Sequence, residues 1–430
     1  MEKYVNELFH FIKSSPTPYH SVALIKNILR NFKFEELKEN EKWELKPNTA
    51  YFVVRDNASI IAFKVGNDVS NVNFNIVASH NDSPTFKIKP NGTLNVGAYQ
   101  KLNTEPYGGM IASTWFDRAL SIAGRVLVLT KDGIEERLVN LSGHNVVIPS
   151  VAIHLNRSGS GEINLQNDTL PVIGLTDSDL SFEKQLEKSS IFEEGEKILS
   201  HDLFLYNKEE GTTLGLSHEM ILSPKLDDLE CVFASLEAFL ESKNDHNINV
   251  CAIFDNEEVG SGSNHGAAST FLTDVLERIC IVFNLDKHIA YASSMMISAD
   301  NAHAVHPAHP EKSDPTNQVH LNKGVVVKYH SGLSYTTEAI SASIFKALCE
   351  KESVPYQDYT NRSDLRGGST LGRIALEKLS IMTVDIGLAQ LAMHSAVETA
   401  GAKDLQYLVK ALKAFYNCKL EINNNIINIK

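Results

Sequence analysis

The stretch NVCAIFDNEEVG, residues 249–260, joins an apolar run to a cluster of carboxylates. The run up to Phe254 has the composition of a buried strand, and Gly260 ends the pattern. Asp255 and Asn256 follow this run, and Glu257 and Glu258 come next. Carboxylates are costly to bury unless they are paired or bind a cation. We therefore expect the end of a buried strand to carry cation ligands.

The composition limits the classes of protein to which the chain can belong. Its 430 residues favour two domains, and its contents of 43% hydrophobic and 22% charged residues are typical of a soluble globular protein. The formal net charge of −13 argues against nucleic acid or anionic membranes as partners. Five scattered cysteines without a CxxC pair predict reduced thiols and no structural zinc site. With neither a signal peptide nor a membrane-spanning run in the sequence, we predict a cytoplasmic location.

The organisation of the chain changes twice along its length. Strand and helix patterns alternate in the first and last parts, and such alternation favours a mostly parallel sheet covered on both faces. From about Pro90 to Ser223, short β-rich runs separated by turn residues replace this pattern. We therefore predict an α/β domain formed by residues 1–90 and 224–430, interrupted by an inserted β-rich domain of residues 91–223.

A second candidate cluster is HNDSP, residues 80–84, which also follows an apolar run. In open α/β sheets, ligands bind beyond the carboxyl ends of the strands, so His80 and Asp82 could face the same crevice as the two glutamates. An aspartate two residues after a histidine can orient its imidazole. Taken alone, the motif is better explained as a hydrogen-bonded surface turn.

Three further segments offer side chains that bind metals. They are SPKLDD at residues 223–228, SADNAHAVHP at 298–307 and QLAMHS at 390–395. Asp227 alone would suggest an ordinary turn before a helix, and His394 alone would suggest a core or cap residue. Asp300 lies at another apparent strand end, in a segment rich in histidine.

Taken together, the five segments supply His, Asp, Glu, Asp and His in order, with one glutamate to spare. Imidazole nitrogen and carboxylate oxygen suit Zn²⁺, and also Co²⁺ or Mn²⁺, whereas Ca²⁺ binds oxygen ligands. Two such ions about 3.5–4 Å apart would activate a water molecule and polarise a carbonyl group. The pattern therefore indicates a dinuclear, zinc-like hydrolytic site.

The whole chain resembles the aspartyl aminopeptidase family of co-catalytic metallopeptidases. The matching motifs are SPTPYH at 15–20, HNDSP at 80–84, WFDR at 115–118, DNEEVG at 255–260, SADNAHAVHP at 298–307 and MHS at 393–395. The resemblance implies a metallo-aminopeptidase with an α/β catalytic domain and an inserted β-rich dimerisation domain. It also implies a homo-oligomer in which dimers assemble into a dodecamer.

The resemblance assigns two divalent ions per subunit to the candidate ligands. His80 and Asp300 would hold one ion. Glu258 and His394 would hold the other, and Asp227 would bridge the two. Zn²⁺ is the metal that the family implies, with Co²⁺ and Mn²⁺ as alternatives for the same ligand types.

The remaining roles implied by the resemblance concern proton transfer and a neighbouring subunit. Glu257 would be the general base that takes a proton from the water and returns it to the leaving amine. Asp82 would orient His80. His154, in the inserted region, would reach across a dimer contact into a neighbour's active site. The alternative for His154 is a packed histidine on an alternating strand.

Peptides with a free N-terminus are the implied substrates, with Asp or Glu as the preferred first residue. Lys328 would bind the acidic side chain, and His303 and Tyr335 would be further substrate contacts. The alternative for Lys328 is a solvated lysine at the end of a strand. The segment YHSGLSY, residues 329–335, departs from the more polar sequence of the family, so a preference for neutral or apolar first residues is the competing interpretation.

Two other functions are compatible with the same ligands. One is a dinuclear amidohydrolase or deacylase that acts on acylated amino acids. The other is a non-enzymatic metal-binding scaffold, against which the complete ligand set and the spare Glu257 argue, because buried charge is costly to retain. The glycine-rich segment at residues 367–372 lacks the ending of a P-loop, so we interpret it as a loop lining the substrate cleft.

Overall fold

The computed structural model describes residues 2–70, 72–156, 162–177, 181–189, 193, 195–243, 246–365, 367–423 and 426–430. The α-helices within these ranges are α1 (Glu2–Ser14), α2 (Pro18–Asn31), α3 (Phe182–Ser189), α4 (Leu226–Glu241), α5 (Phe271–Val282), α6 (Lys287–Ala292), α7 (Ala339–Glu352), α8 (Leu371–Leu376) and α9 (Asp404–Asn417).

The strands alternate with these helices in the first and last parts of the chain. In chain order they are β1 (Glu35–Leu37), β2 (Ala50–Arg55), β3 (Ser59–Val65), β4 (Phe74–His80), β5 (Thr85–Val96), β6 (Tyr99–Tyr107), β7 (Leu120–Thr130), β8 (Gly133–Asn140), β9 (Val172–Leu175), β10 (Lys197–Asn207), β11 (Thr212–Leu214), β12 (Met220–Ser223), β13 (Ile248–Phe254), β14 (Met295–Ala299), β15 (Ala302–His303), β16 (Val325–Tyr329), β17 (Tyr356–Thr360), β18 (Met382–Gly387), β19 (Ala389–Leu391), β20 (Glu398–Gly401), β21 (Leu420–Asn423) and β22 (Ile426–Ile429).

The largest sheet has the strand order β1-β2-β3-β13-β4-β14-β18-β16-β17. Its central pairs β13–β4, β4–β14 and β14–β18 are parallel, whereas β2–β3, β3–β13 and β16–β18 are antiparallel. Successive residues point to opposite faces, so Val77 packs into the core on one face and Ile76 and Ala78 into the core on the other. The predicted α/β class, with a mostly parallel sheet covered on both faces, is confirmed.

Helix α4 places the candidate ligand Asp227 against this sheet. It packs against β4, β13 and α9, and its side chains are buried on almost every side. A helix that is apolar all round belongs in the interior of a protein, which explains the uninterrupted burial from Leu229 to Leu236. The start of α4 is thereby fixed at one edge of the sheet.

A second sheet lies next to that edge. Its strand order is β8-β7-β10-β5-β6-β9, its pairs are antiparallel, and it has its own apolar core around Phe86, Val126 and Leu203. Strand β5 starts at Thr85, shortly after β4 ends at His80. A third sheet, β11-β12-β20-β19-β15, leads from the end of this region back to the first sheet.

A short helix precedes the strand that leads to Asp300. Helix α6 ends at Ala292, and β14 begins at Met295. Asp286 caps this helix by accepting hydrogen bonds from the backbone N–H groups of His288 and Ile289 (2.8 and 3.4 Å). Among the described residues, none of the helices combines the length and the apolarity that crossing a membrane requires.

Candidate metal centre

Three adjacent parallel strands, β13, β4 and β14, bring candidate ligands to one edge of the large sheet. His80 is the last residue of β4, and Asp300 directly follows β14. Glu257 and Glu258 lie in a short 3₁₀ turn, Glu257–Val259, just after β13. Because the carboxyl ends of parallel strands share an edge, side chains far apart in the sequence meet there.

Asp227 and His394 reach the same edge from other elements. Asp227 lies in the first turn of α4, and His394 lies in the loop between β19 and β20. The buried carboxylate of Glu398 accepts hydrogen bonds from the backbone N–H groups of Asp227 (3.0 Å) and His394 (2.7 Å). One side chain therefore fixes both segments relative to each other. The sequence analysis missed Glu398, because nothing in its local pattern marks it.

The distances group the side chains around Asp227. His80 Nε2 lies 3.4 Å from Asp227 Oδ1 and 4.0 Å from Asp300 Oδ1. His394 Nε2 lies 3.6 Å from Asp227 Oδ2 and 3.4 Å from Glu258 Oε2. The two oxygens of Asp227 therefore face different histidines. Each group of potential ligand atoms lies within 4.8 Å, and Asp228 joins the group that contains His80.

The chemistry of the donor set fits divalent cations. Asp227 Oδ1 and Glu258 Oε1 are buried and have no hydrogen-bond partner in the described part of the chain. Burial raises the pKa of Glu258 well above its usual value, and the neighbouring charge of Asp227 adds to the effect. Burial also opposes the protonation of His80, but the carboxylates of Asp228, Asp227 and Asp82 raise the pKa of His80. Unpaired buried oxygens beside two imidazoles are the ligands that zinc prefers.

Asp82 is buried behind His80 and accepts hydrogen bonds on both oxygens. Its Oδ1 lies 3.3 Å from His80 Nδ1 and accepts the backbone N–H of Glu257 (3.1 Å). Its Oδ2 accepts the backbone N–H of Glu258 (3.1 Å) and the hydroxyl of Tyr107 (2.8 Å). Asp82 therefore orients the imidazole and also holds the turn that carries both glutamates.

Tyr107 is a second residue that the sequence analysis missed. It is the last residue of β6 in the second sheet, and its hydroxyl also accepts a hydrogen bond from Asn256 Nδ2 (2.9 Å). No residue next to it in the sequence belongs to a recognised motif, so its role arises only from the packing of the two sheets.

Glu257 lies close to the candidate ligands, and its carboxyl group is perturbed by them. Atoms of Glu257, Glu258 and His80 lie within 4.8 Å of one another. Burial raises the pKa of Glu257 to about 8, and the carboxylates of Asp300 and Asp82 contribute while His80 opposes them. A carboxyl group that changes protonation near neutral pH can both accept and donate a proton.

Lys328 is buried beside Asp300, so the solvated lysine considered as its alternative is wrong. The residue is 1% exposed, and its Nζ donates to the backbone oxygens of Asp300 (2.7 Å) and Asn301 (3.3 Å). It also lies 3.5 Å from Asp300 Oδ2. Burial opposes the protonation of Lys328, but the carboxylate of Asp300 raises its pKa. The ammonium is thus directed at the segment that presents Asp300.

The other predicted substrate contacts lie next to Lys328 and along a cleft. Tyr335 is buried, with its ring centroid 5.2 Å from Lys328 Nζ. His303 is exposed, and its ring centroid lies 6.4 Å from that of Tyr359. His303 lines a cavity of about 320 Å³ together with Gly367 and Gly368 of the glycine-rich loop.

His154 lies apart from this cluster, on an exposed turn. The segment 151–156 belongs to no strand, so the packed strand histidine considered as an alternative is wrong. Its neighbours Val151, Ile153 and Leu155 are 63%, 67% and 83% exposed. A short segment with three exposed apolar side chains is unusual on a protein surface that faces water.

Comparisons with known proteins show which family of proteins the chain resembles in sequence and fold. The profile of the family described as aminopeptidase I zinc metalloprotease (M18) matches residues 11–416. The "Probable M18 family aminopeptidase 2" of Clostridium acetobutylicum is 46% identical over 427 residues, which cover 96% of this chain and 99% of that protein.

Two solved structures are similar over nearly the whole chain. One is described as "Cryo-EM structure of the Ape4 and Nbr1 complex" and has a TM-score of 0.92 and 33% sequence identity. The match covers 96% of this chain and 85% of the chain in that structure. The other, the S. cerevisiae mApe1 dodecamer, has a TM-score of 0.83 and 26% identity and covers 96% of each chain.

Proposed function

Because the chain belongs to the M18 family of zinc aminopeptidases, we propose that it removes the first residue of peptides with the help of two divalent ions. The predicted family is confirmed, since M18 includes the aspartyl aminopeptidases. The observation that carries the proposal of two ions is Asp227, whose oxygens face His80 at 3.4 Å and His394 at 3.6 Å. A carboxylate between two imidazoles is suited to bridge two cations.

The ligands divide into two sets around Asp227. We assign His80 and Asp300 to one ion and Glu258 and His394 to the other, in accordance with the distances between these side chains. The family description favours Zn²⁺, and Co²⁺ or Mn²⁺ would accept the same donors.

The protein side chains supply proton transfer and orientation. When bound, the ions would lower the pKa of a water molecule and polarise the carbonyl of the scissile peptide bond. Glu257 takes a proton from the attacking water and delivers it to the departing nitrogen. Glu258 would hold a cation together with His394, whereas Glu257 would remain free for this cycle. Asp82 keeps His80 in the orientation that binding requires.

The preferred first residue of the substrate is proposed to be Asp or Glu. Lys328 would contribute a positive charge next to Asp300, and Tyr335 and His303 would contact the substrate along the cleft. A preference for neutral first residues is the competing proposal, because the ammonium of Lys328 already has three oxygens around it.

The assembly is proposed by analogy with a relative that has been described as a dodecamer. Residues 91–223 would be the inserted dimerisation domain of a homo-oligomer, flanked by the two parts of the catalytic domain. The exposed turn at 151–156 would bring His154 to the active site of a neighbouring subunit. Its three exposed apolar side chains support a contact between subunits.

A comparison of substrates and metals tests the proposal. The enzyme would be loaded in turn with Zn²⁺, Co²⁺ and Mn²⁺, and the ions per subunit counted by elemental analysis. We expect two ions and cleavage of Asp-, Glu- and Leu-amides, fastest for the acidic pair. Their N-acetylated forms should be inert. Faster cleavage of acetylated than of free substrates would indicate a deacylase, and faster cleavage of Leu than of Asp would reject the acidic preference.

A further inference from the structure

A cleft opens next to the segments that carry Asp300 and His394. Its cavity of about 320 Å³ is lined by His303, three residues after Asp300, and by Ala392, two residues before His394. Lys312 and Arg362 line the same cavity. A peptide whose scissile bond lies at the metal centre would therefore have these two cations within its binding cleft.

Most of the cations near the cleft are already paired. Arg362 binds the carboxylate of Asp364 through Nε and Nη2, both at 2.8 Å, and its Nη1 donates to the backbone oxygen of Glu311. Lys328 donates to the oxygens around Asp300 and is buried. The charge of Arg362 is therefore already paired, and the charge of Lys328 is buried beside Asp300.

Lys312 differs from Arg362 and Lys328 in its contacts and in its exposure. It is exposed at the end of the short turn Pro310–Lys312, and its ammonium forms no hydrogen bond or close ion pair with any residue that the structure describes. The carboxylates of Glu311 and Asp364 lie near enough for the charge of Lys312 to lower the pKa of each. The carboxylate of Glu311 next to it is already engaged by His309 Nδ1 (3.2 Å). The backbone is fixed, since Lys312 N–H donates to the oxygen of His309 (3.1 Å) and Arg362 holds Glu311.

We propose that Lys312 binds a carboxylate of the peptide substrate and thereby favours substrates that carry one in the cleft. This inference rests on the proposed aminopeptidase function. The carboxylate has two sources, the side chain of an acidic first residue or the terminal carboxylate of a short peptide. In a protein with a net charge of −13, an exposed cation that lines the cleft offsets the general repulsion of such substrates.

Two pairs of dipeptides distinguish between the two sources of the carboxylate. Asp-Ala-amide is compared with Asn-Ala-amide for the side chain, and Leu-Ala is compared with Leu-Ala-amide for the terminal carboxylate. The kcat/KM ratio of each pair is measured for the wild type, Lys312→Gln, Lys312→Arg and the exposed control Lys323→Gln. We expect Lys312→Gln to reduce one of the two ratios about fivefold, the effect of losing one exposed ion pair.

Lys312→Arg should keep most of that ratio, and Lys323→Gln should leave it unchanged. Unchanged ratios for Lys312→Gln, or an equal fall in kcat/KM for all four peptides, would overturn the inference while the aminopeptidase function stands. A wild-type enzyme that cleaves none of the four would overturn the proposed function and this inference together.

Discussion

Asp82 controls more of the metal centre than its place behind one histidine suggests. Its two oxygens contact the imidazole of His80, the hydroxyl of Tyr107 and the backbone of both glutamates. A buried carboxylate with several donors cannot rotate without leaving some of them unpaired. The position of one ligand, His80, is therefore coupled to the position of another, Glu258.

Replacing Tyr107 by Phe tests this coupling. The change removes the hydroxyl that donates to Asp82 and accepts from Asn256, while the ring remains packed. We expect kcat/KM or metal affinity to fall about 10- to 100-fold, as is usual when a group behind a metal ligand is lost. The visible spectrum of the Co²⁺-loaded enzyme would report the altered ligand geometry. Tyr99→Phe, at an exposed position of the same strand, is the matched control and should behave as the wild type.

The division of labour between the two glutamates is tested by Glu257→Gln. The amide cannot accept a proton from water, but it preserves the shape of the side chain. We expect turnover to fall about 10²- to 10⁴-fold, while elemental analysis finds the metal content of the wild type. Glu258→Gln should instead lose metal. A Glu257→Gln enzyme with near-normal turnover would contradict the role of general base.

The sequence predicted some of these residues and not others for a physical reason. His80, Glu257 and Asp300 each follow an apolar strand, so a local pattern marks them. Tyr107 and Glu398 acquire their roles through contacts between distant elements, and each stands in a strand of ordinary composition. Local periodicity carries no information about such contacts.

At the scale of elements, the turn that follows β6 approaches the metal centre closely. Gly108 has φ +73°, and a Cβ added there would lie 3.1 Å from Cβ of Glu258 and 3.2 Å from its backbone oxygen. Gly109 has nothing within 4 Å of the corresponding position. The backbone of the second sheet therefore comes near Glu258 at the one position in this turn where a side chain would intrude.

We predict that Gly108→Ala lowers both stability and metal affinity. The left-handed backbone and the contact with Glu258 both disfavour a side chain, which should cost about 1 kcal/mol or more in the free energy of unfolding. Thermal unfolding with and without Zn²⁺ would measure both effects. Gly109→Ala is the neighbouring control. If both variants unfolded at the same temperature, with and without Zn²⁺, the close approach of Gly108 to Glu258 would have no effect on stability or metal affinity.

The elements themselves were predictable where burial is continuous and less so elsewhere. Strands β4 and β13 are buried along their whole length and appear in the sequence as apolar runs. The segment around His154 also has alternating apolar residues, but in the structure it is an exposed turn. An alternating pattern predicts that the apolar face of a segment is buried. It does not show whether residues of the same chain or of another subunit bury that face.

At the scale of the molecule, Arg125 connects the second sheet to the first part of the chain. Arg125 of β7 pairs with Asp202 (3.0 Å), donates to the backbone oxygen of Asp56 (2.7 Å) and lies 4.1 Å from the centroid of the Tyr19 ring. The pair with Asp202 lies within the second sheet, whereas the contacts with Asp56 and Tyr19 connect that sheet to the turn between β2 and β3 and to α2. The second sheet is thereby attached to the first part of the chain.

The exposed turn at 151–156 leads to a prediction about assembly. Leu155 is 83% exposed, and with Val151 and Ile153 it forms an apolar surface that contact with another subunit would cover. Leu155→Asp would place a charge in that contact. We expect it to dissociate the oligomer and to abolish most of the activity, because His154 would no longer reach a neighbouring site. Light scattering and activity would be followed over a dilution series.

His154→Ala separates the loss of assembly from the loss of the imidazole. This variant should keep the wild-type oligomeric state and metal content yet lose activity, whereas Leu155→Asp should lose both assembly and activity. Mixing the two variants gives the decisive measurement. The Leu155→Asp subunits carry His154, and that residue could serve the active site of a His154→Ala subunit only if the two kinds of subunit form contacts. A fully active His154→Ala enzyme, or a Leu155→Asp monomer as active as the wild type, would exclude the action of His154 across subunits.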